Sequence, residues 1–345
     1  MTDARTRTSA PPRAEGQAPP ATSPPPPTDA PQRSAAAGPL AAATAFLRAA
    51  REGLESGVGL ADALARGSTA AGTSPGQEAR SLRRLAGNYD EDDWGFDEEY
   101  VAAVRPLFDF MYDGWWRVET TGVENVPARG RALMVANHAG ILPWDATMIA
   151  AALLREHPEP RHARFLVLNW AFQLPWVSAF MRKVGGVAAS PYNAERLLRE
   201  DHLVAVFPEG VKGAGKDFAD RYRLQRFGRG GFVEVALRTG APIIPVAVVG
   251  SEETYPKLGD AKPLARLTGA PYFPVTPTFP LLGPLGVVPL PSKWRIEFCD
   301  PIDISQHGPD AVDDRSLVFE ITEHVRETIQ QRVYANLVTR GSAFF

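Results

Sequence analysis

The residue types that could do chemistry gather at two places in the 345-residue chain, and the first is built on one histidine. His138 follows the apolar run Ala132 to Ala136 and Asn137, and a carboxylate, Asp145, stands seven positions later. An imidazole with one nitrogen held by a carboxylate keeps its other nitrogen for a substrate hydroxyl, so the pair can serve as general base and orienter while the substrate oxygen attacks. On one continuous helix, seven residues would separate the two groups by roughly 10 Å along the axis, too far for a hydrogen bond. Gly140 and Pro143 argue against such a helix, and a loop that folds back brings the carboxylate to the ring. The plainer reading is a partly buried histidine held at a turn.

The second place is Leu203 to Lys216, LVAVFPEGVKGAGK: a buried strand, then Phe207-Pro208-Glu209-Gly210, then a loop rich in glycine and lysine. Gly210, Gly213 and Gly215 allow backbone amides to turn toward an anion, and Lys212 and Lys216 add charge. The spacing of Gly210, Gly215 and Lys216 imitates a Walker loop, but Asp217 stands where Ser or Thr must hold the metal, which rejects that reading. Between Lys212 and Arg229 six basic residues face two acidic ones, in a chain whose net charge is −3. That excess is either a solvated surface or a landing site for phosphates of a lipid head group or of coenzyme A.

These residues need a scaffold. Strands are expected at Trp116–Thr120, Ala132–Ala136, Arg164–Leu168, Val184–Ala188, Leu203–Phe207, Ile243–Val249 and Trp294–Phe298, with helices at Pro143–Glu156, Trp170–Lys183, Pro191–Arg199, Phe227–Thr239 and about Asp313–Leu337. Such alternation implies an α/β fold: a mostly parallel mixed sheet with helices on both faces. His138 then falls beyond the carboxyl end of a strand, where α/β sheets bind ligands.

Ahead of that domain, 116–345, residues 1–38 are dominated by Pro, Ala, Ser, Thr and Arg and read as a disordered tail without the apolar core of a signal peptide. Residues 39–115 read as a helical region. Apolar spacing over 40–66 predicts an amphipathic helix, and seven carboxylates between Asp90 and Glu99 read as a solvated acidic linker leading into a helix start at Val101. A metal cage there lacks the order of ligands that a calcium loop needs.

Composition narrows the chemistry further. A net charge of −3 gives no basic face for nucleic acid, and the single cysteine, Cys299, permits no internal disulfide and reads as a buried apolar residue. The one Gly-x-Ser-x-Gly match, Gly72 to Gly76, has no strand before it, which disfavours a serine hydrolase. None of the six histidines has zinc-type spacing, so no metal is expected. The apolar stretches 165–180 and 271–290 are candidates for an acyl channel and a membrane-dipping surface, neither being a spanning helix.

Taken together, Asn137-His138 with its downstream Asp, Phe207-Pro208-Glu209-Gly210, and Ala241-Pro242-Ile243-Ile244-Pro245-Val246 resemble, in order and approximate spacing, the glycerolipid (lysophospholipid) acyltransferase family over Trp116 to Asp300. The resemblance implies His138 as base, Asp145 as orienter, Glu209 and Gly210 in the acceptor site and Pro245 in the acyl-pocket block. Six residues separate His138 from Asp145 where the family usually has four, which looks more like the branch of mono- and diacylglycerol acyltransferase relatives. Ser190 stands where a phosphate-holding arginine is usual, so a neutral acceptor, or phosphate held by Lys212 or Lys216, is implied instead. The expected reaction moves an acyl group from acyl-CoA or acyl carrier protein to a lipid hydroxyl, without a cofactor, at the cytoplasmic face of a membrane. A thioesterase of the same fold and a non-catalytic lipid-binding protein are the alternatives.

Overall fold

The computed structural model describes residues 91–345 except 140–141, 174–176, 269–270 and 345, together with 45, 48, 49, 51–53, 56 and 66 of the N-terminal region. The tail read over 1–38 and the helix read over 40–66 therefore lie outside the described residues, isolated positions excepted.

In chain order the elements are α1 (Glu98–Phe110), β1 (Glu119–Thr121), β2 (Ala132–Ala136), α2 (Trp144–Arg155), β3 (Ala163–Val167), α3 (Val177–Lys183), β4 (Gly186–Ala188), α4 (Pro191–Arg199), β5 (Leu203–Val206), α5 (Gly210–Ala214) and α6 (Gly231–Thr239). They continue with β6 (Ile243–Val249), β7 (Gly259–Asp260), α7 (Lys262–Thr268), β8 (Pro274–Val275), β9 (Arg295–Phe298) and α8 (Arg315–Arg340). Seven strands form one sheet in the order β1-β9-β6-β2-β5-β3-β4, while β7 and β8 make a small antiparallel pair. Every pairing in the large sheet is parallel except β6 with β9.

Alternation along β2 shows how the sheet is covered. Ala132, Met134 and Ala136 face a core shared with Met148, Ile149 and Leu153 of α2, whereas Leu133 and Val135 face one shared with α4, α6 and α8. Both faces are apolar, so β2, β5 and β6 are buried at every position and read as unbroken hydrophobic runs. On α8 the buried Val318, Ile321, Val325, Ile329 and Val333 recur at three and four residues, the stripe a sheet-covering helix needs.

Where elements start later than their apolar runs, the backbone gives the reason. β1 begins at Glu119 because Arg117 has φ 47°, and α6 begins at Gly231 because Gly228 and Gly230 have φ 62° and 83°. The helix expected over 170–183 is a 3₁₀ turn at Asn169–Gln173 and then α3, and Pro175 lies in the sequence between them. The acidic linker is less solvated than its composition suggests. Asp97 caps α1 by accepting from the Tyr100 amide at 2.8 Å and meets Lys183 at 3.2 Å, Asp92 pairs with Arg164, and the Trp94 indole donates to Glu200 at 2.8 Å.

Past the end of β2, the Asn137 side chain completes the sheet. Its Nδ2 donates to the Val248 carbonyl at 2.9 Å and its Oδ1 accepts from the Val248 amide at 2.7 Å, all of it buried. Asn137→Ala leaves two buried backbone groups unmet, and urea denaturation is expected to show a loss of about 2–3 kcal/mol. A loss below about 0.5 kcal/mol, the range of an ordinary surface change, would mean that the sheet closes without this latch.

Candidate active site

β2 delivers Asn137 and His138 to the carboxyl edge of the sheet, and the loop that follows turns back so that Asp145 falls in the first turn of α2. The two side chains meet: His138 Nδ1 lies 2.6 Å from Asp145 Oδ2. Asp145 is 0% exposed, and its carboxylate also accepts from the Ala139 amide at 3.1 Å and the Ala146 amide at 2.8 Å. Two amides and the positive end of α2 thus hold the buried charge that the imidazole faces. With Nδ1 donating to Asp145, Nε2 is the acceptor, and among the described residues it has no hydrogen-bond partner. The ring rests against Phe207 at a centroid distance of 4.7 Å and is 20% exposed.

Electrostatics favour a proton on this ring. Burial works to lower the His138 pKa, but Asp145, by charge and by hydrogen bond, and then Glu209 outweigh it, with Lys216 opposing, so the pKa is raised above its ordinary value.

The Phe207–Gly210 turn follows β5, which is hydrogen-bonded to β2, and it is tied to the histidine loop through Glu209. Glu209 Oε1 accepts from the His138 amide at 2.9 Å and Oε2 from the Gln225 amide at 2.6 Å. Lys216 Nζ stands 3.3 Å from Glu209 Oε2 and 2.9 Å from Glu252 Oε1, and donates to the Arg223 carbonyl at 3.2 Å. An ammonium has three protons, and all three are spoken for. The Lys216 side chain is 5% exposed, so it faces inward to a pair of carboxylates instead of outward to a phosphate, and the expected phosphate-binding role does not fit it. Glu209, with both oxygens engaged by the protein, braces the histidine loop rather than offering itself to an acceptor. α5 packs tightly here: a Cβ added to Gly213 would come within 2.5 Å of Glu209 Cβ and 3.0 Å of the His138 carbonyl.

The other expected residues divide. Phe207 touches the ring, Pro208 is half-buried beside Glu209, and Gly210 and Lys212 are exposed on the adjoining surface. Gly210 takes a left-handed φ of 55°, which the turn out of Glu209 requires. Ser190 caps α4 by accepting from the Asn193 amide at 3.0 Å. Pro245 is buried in β6 opposite Val135, its carbonyl accepting from the Cys299 amide. Cys299 is buried, which pushes its thiol up to about 12. Glu252 was not anticipated; the sequence signal is an acidic pair, Glu252-Glu253, directly after a fully buried strand.

Beside the pair lies an apolar cleft of about 100 Å³ between α1, α2, α3 and strands β3 and β4. Pro143 and Thr147 border it at the Asp145 end of α2 and Leu154 at the other, where Arg161 and His162 also line it. Burial pushes the His162 imidazole below its ordinary pKa, against the pull of Glu98, which keeps it neutral beside this apolar space. Pro245 is not part of the lining. Of the stretch 165–180, Phe165, Val167 and Phe180 contribute to it.

A family model described as Acyltransferase matches residues 117–249. An uncharacterized protein of Mycobacterium tuberculosis is 54% identical over 264 residues, 76% of this chain and 74% of that one, and another from Mycobacterium leprae is 54% identical over 76% and 72%. A Bos taurus protein named DGAT1/2-independent enzyme synthesizing storage lipids is 24% identical over 242 residues, 68% of this chain and 66% of its own. Among solved structures, the 1-acyl-sn-glycerophosphate (LPA) acyltransferase PlsC of Thermotoga maritima aligns with a TM-score of 0.47 at 18% identity, over 74% of this chain and 87% of that chain. The family match spans β1 to β6 and so takes in both members of the His138–Asp145 pair and the turn at Phe207–Gly210; the chain belongs to the acyltransferase family.

Proposed function

We propose that the protein transfers an acyl group from a thioester, acyl-CoA or acyl carrier protein, to a hydroxyl of a glycerolipid or lysophospholipid at a membrane surface on the cytoplasmic side. The observation that carries this reading is the 2.6 Å contact of His138 Nδ1 with a fully buried Asp145, which leaves Nε2 for the acceptor. Nε2 takes the hydroxyl proton as the oxygen bonds to the thioester carbonyl carbon. The tetrahedral adduct then collapses, the carbon–sulfur bond breaks, and the imidazolium returns the proton to the departing thiolate. No acyl-enzyme and no cofactor enter this scheme.

The apolar cleft supplies space for the acyl chain. It borders α2 from Pro143 to Leu154, about 16 Å of helix axis, and starts two residues from Asp145. Small side chains, Ala146 and Ala150, face it one turn apart and leave the space open. With Lys216 committed inside the protein, the acceptor contacts fall to Gly210, Lys212 and the exposed edge of the turn, and of the two lysines only Lys212 stays open to an acceptor's phosphate.

His138→Ala is expected to lower kcat by about 10²–10⁴-fold, the worth of a positioned general base, with the fold retained by circular dichroism. Thiol release and acylated lipid, each measured with and without acceptor, check it: release that persists undiminished without acceptor would make the protein a thioesterase, and turnover unchanged in the variant would remove the base.

A general base must be deprotonated, and Asp145 and Glu209 favour its protonated form. The acid limb of kcat/KM is therefore expected to have its midpoint above the ordinary 6.5 of a histidine, and to move to lower pH in Asp145→Asn as the rate falls. A midpoint unmoved by that substitution would show that another group titrates.

Filling the cleft gives a separate test. Ala150→Leu is expected to raise KM for long-chain thioesters several-fold while leaving short-chain ones within about twofold. Equal effects on both would place the chain elsewhere.

A further inference from the structure

β6 runs parallel to β2, so both end at the sheet edge that carries His138, and β9, antiparallel to β6, begins at that same edge. The whole excursion between them, 250–294, leaves and re-enters the sheet beside the histidine. It is tied to the site by side chains: the Trp144 indole, next to Asp145, donates to Tyr255 Oη at 3.2 Å, and that hydroxyl donates to the Val287 carbonyl at 2.6 Å. Trp115 and Trp116 donate to the carbonyls of Pro289 and Leu290, both at 3.0 Å.

This excursion carries the chain's densest run of uncovered large apolar side chains among the described residues. Leu281 is 83% exposed and Leu285 72%, with Leu282, Val287 and Val288 also exposed within eight positions. Its backbone is closed on itself: the amides of Leu282, Gly283, Leu285 and Val288 donate to the carbonyls of Thr278, Pro280, Leu282 and Leu285. Those internal bonds let the turn enter a medium that offers no hydrogen bonds. The ionic groups nearby complement an anionic surface. Lys262 and Arg266 stand one turn apart and exposed on α7, the acid of the segment, Asp260, accepts from the Phe273 amide, and Lys257 is tied to Asp217.

We propose that α7, through Lys262 and Arg266, and the turn at 278–288 form the surface by which the protein seats on an anionic bilayer, the leucines of 281–285 entering the acyl boundary and Lys262 and Arg266 meeting phosphate head groups, with the His138 edge held over the lipid. The proposal rests on the reading of the site as one that draws a lipid substrate from that bilayer, and adds which surface faces it.

Cosedimentation of the full chain with sucrose-loaded vesicles tests it, using phosphatidylcholine alone and phosphatidylcholine mixed with phosphatidylglycerol. Leu281→Ser/Leu282→Ser/Leu285→Ser is expected to weaken binding to the mixed vesicles by at least about tenfold, with circular dichroism and turnover of a short soluble thioester and acceptor unchanged. Lys262→Gln/Arg266→Gln is expected to lose about tenfold on the mixed vesicles and nothing on phosphatidylcholine. Undiminished sedimentation of the serine variant overturns the proposal, and so does a dimer that this variant dissolves in analytical ultracentrifugation while still binding vesicles, since a second copy would then cover the patch. His138→Ala is expected to bind vesicles as the parent does, so loss of the proposed reaction and loss of the membrane surface are read separately.

Discussion

Everything at this site hangs on a carboxylate that water cannot reach. Asp145 is buried, and among the described residues two amides, the start of α2 and the His138 imidazole hold its carboxylate. Isolated in an apolar core, such a charge would be neutralised. Placed at a helix N-terminus with three donors, it becomes the fixed reference that sets the tautomer and angle of His138. The packing of α2 on β2, through Met148, Ile149 and Leu153, is therefore also what aims the ring.

A second buried assembly holds the other side of the loop. Glu209 and Glu252 share Lys216, and Glu209 reaches the His138 amide. Two carboxylates face one ammonium in the interior, burial raises the Glu252 pKa against the pull of Lys216, and each oxygen of Glu209 is satisfied by a backbone amide or the lysine. Such a group is costly to bury and is tolerated where it fixes geometry. Its place between β5 and the loop after β2 lets it hold two adjacent strand ends in register.

Much of this was legible in the sequence because both signals were simple. Fully buried parallel strands read as apolar runs, so β2 and β6 matched their expected bounds residue for residue, and the break at Gly140 and Pro143 foretold that His138 and Asp145 could meet. Lys216 was misjudged for a physical reason. A lysine in a glycine-rich loop looks solvent-facing until the partner carboxylate 36 residues later, Glu252, is seen to lie beneath it, and no local pattern carries that distance. The limits of β1 and α6 were set by left-handed turns at Arg117 and at the glycines before Gly231, which apolar periodicity does not register.

The reversal of β9 has a consequence of its own. Because the chain comes back into the sheet at the edge where it left, the intervening stretch is a detour and not a crossover, and its length places no demand on the helices or on strand order. Relatives could lengthen, shorten or recompose that detour while the proton-handling core stays as it is. Diversity in what is brought to the histidine can thus accumulate in one stretch of chain, apart from the machinery that acts on it.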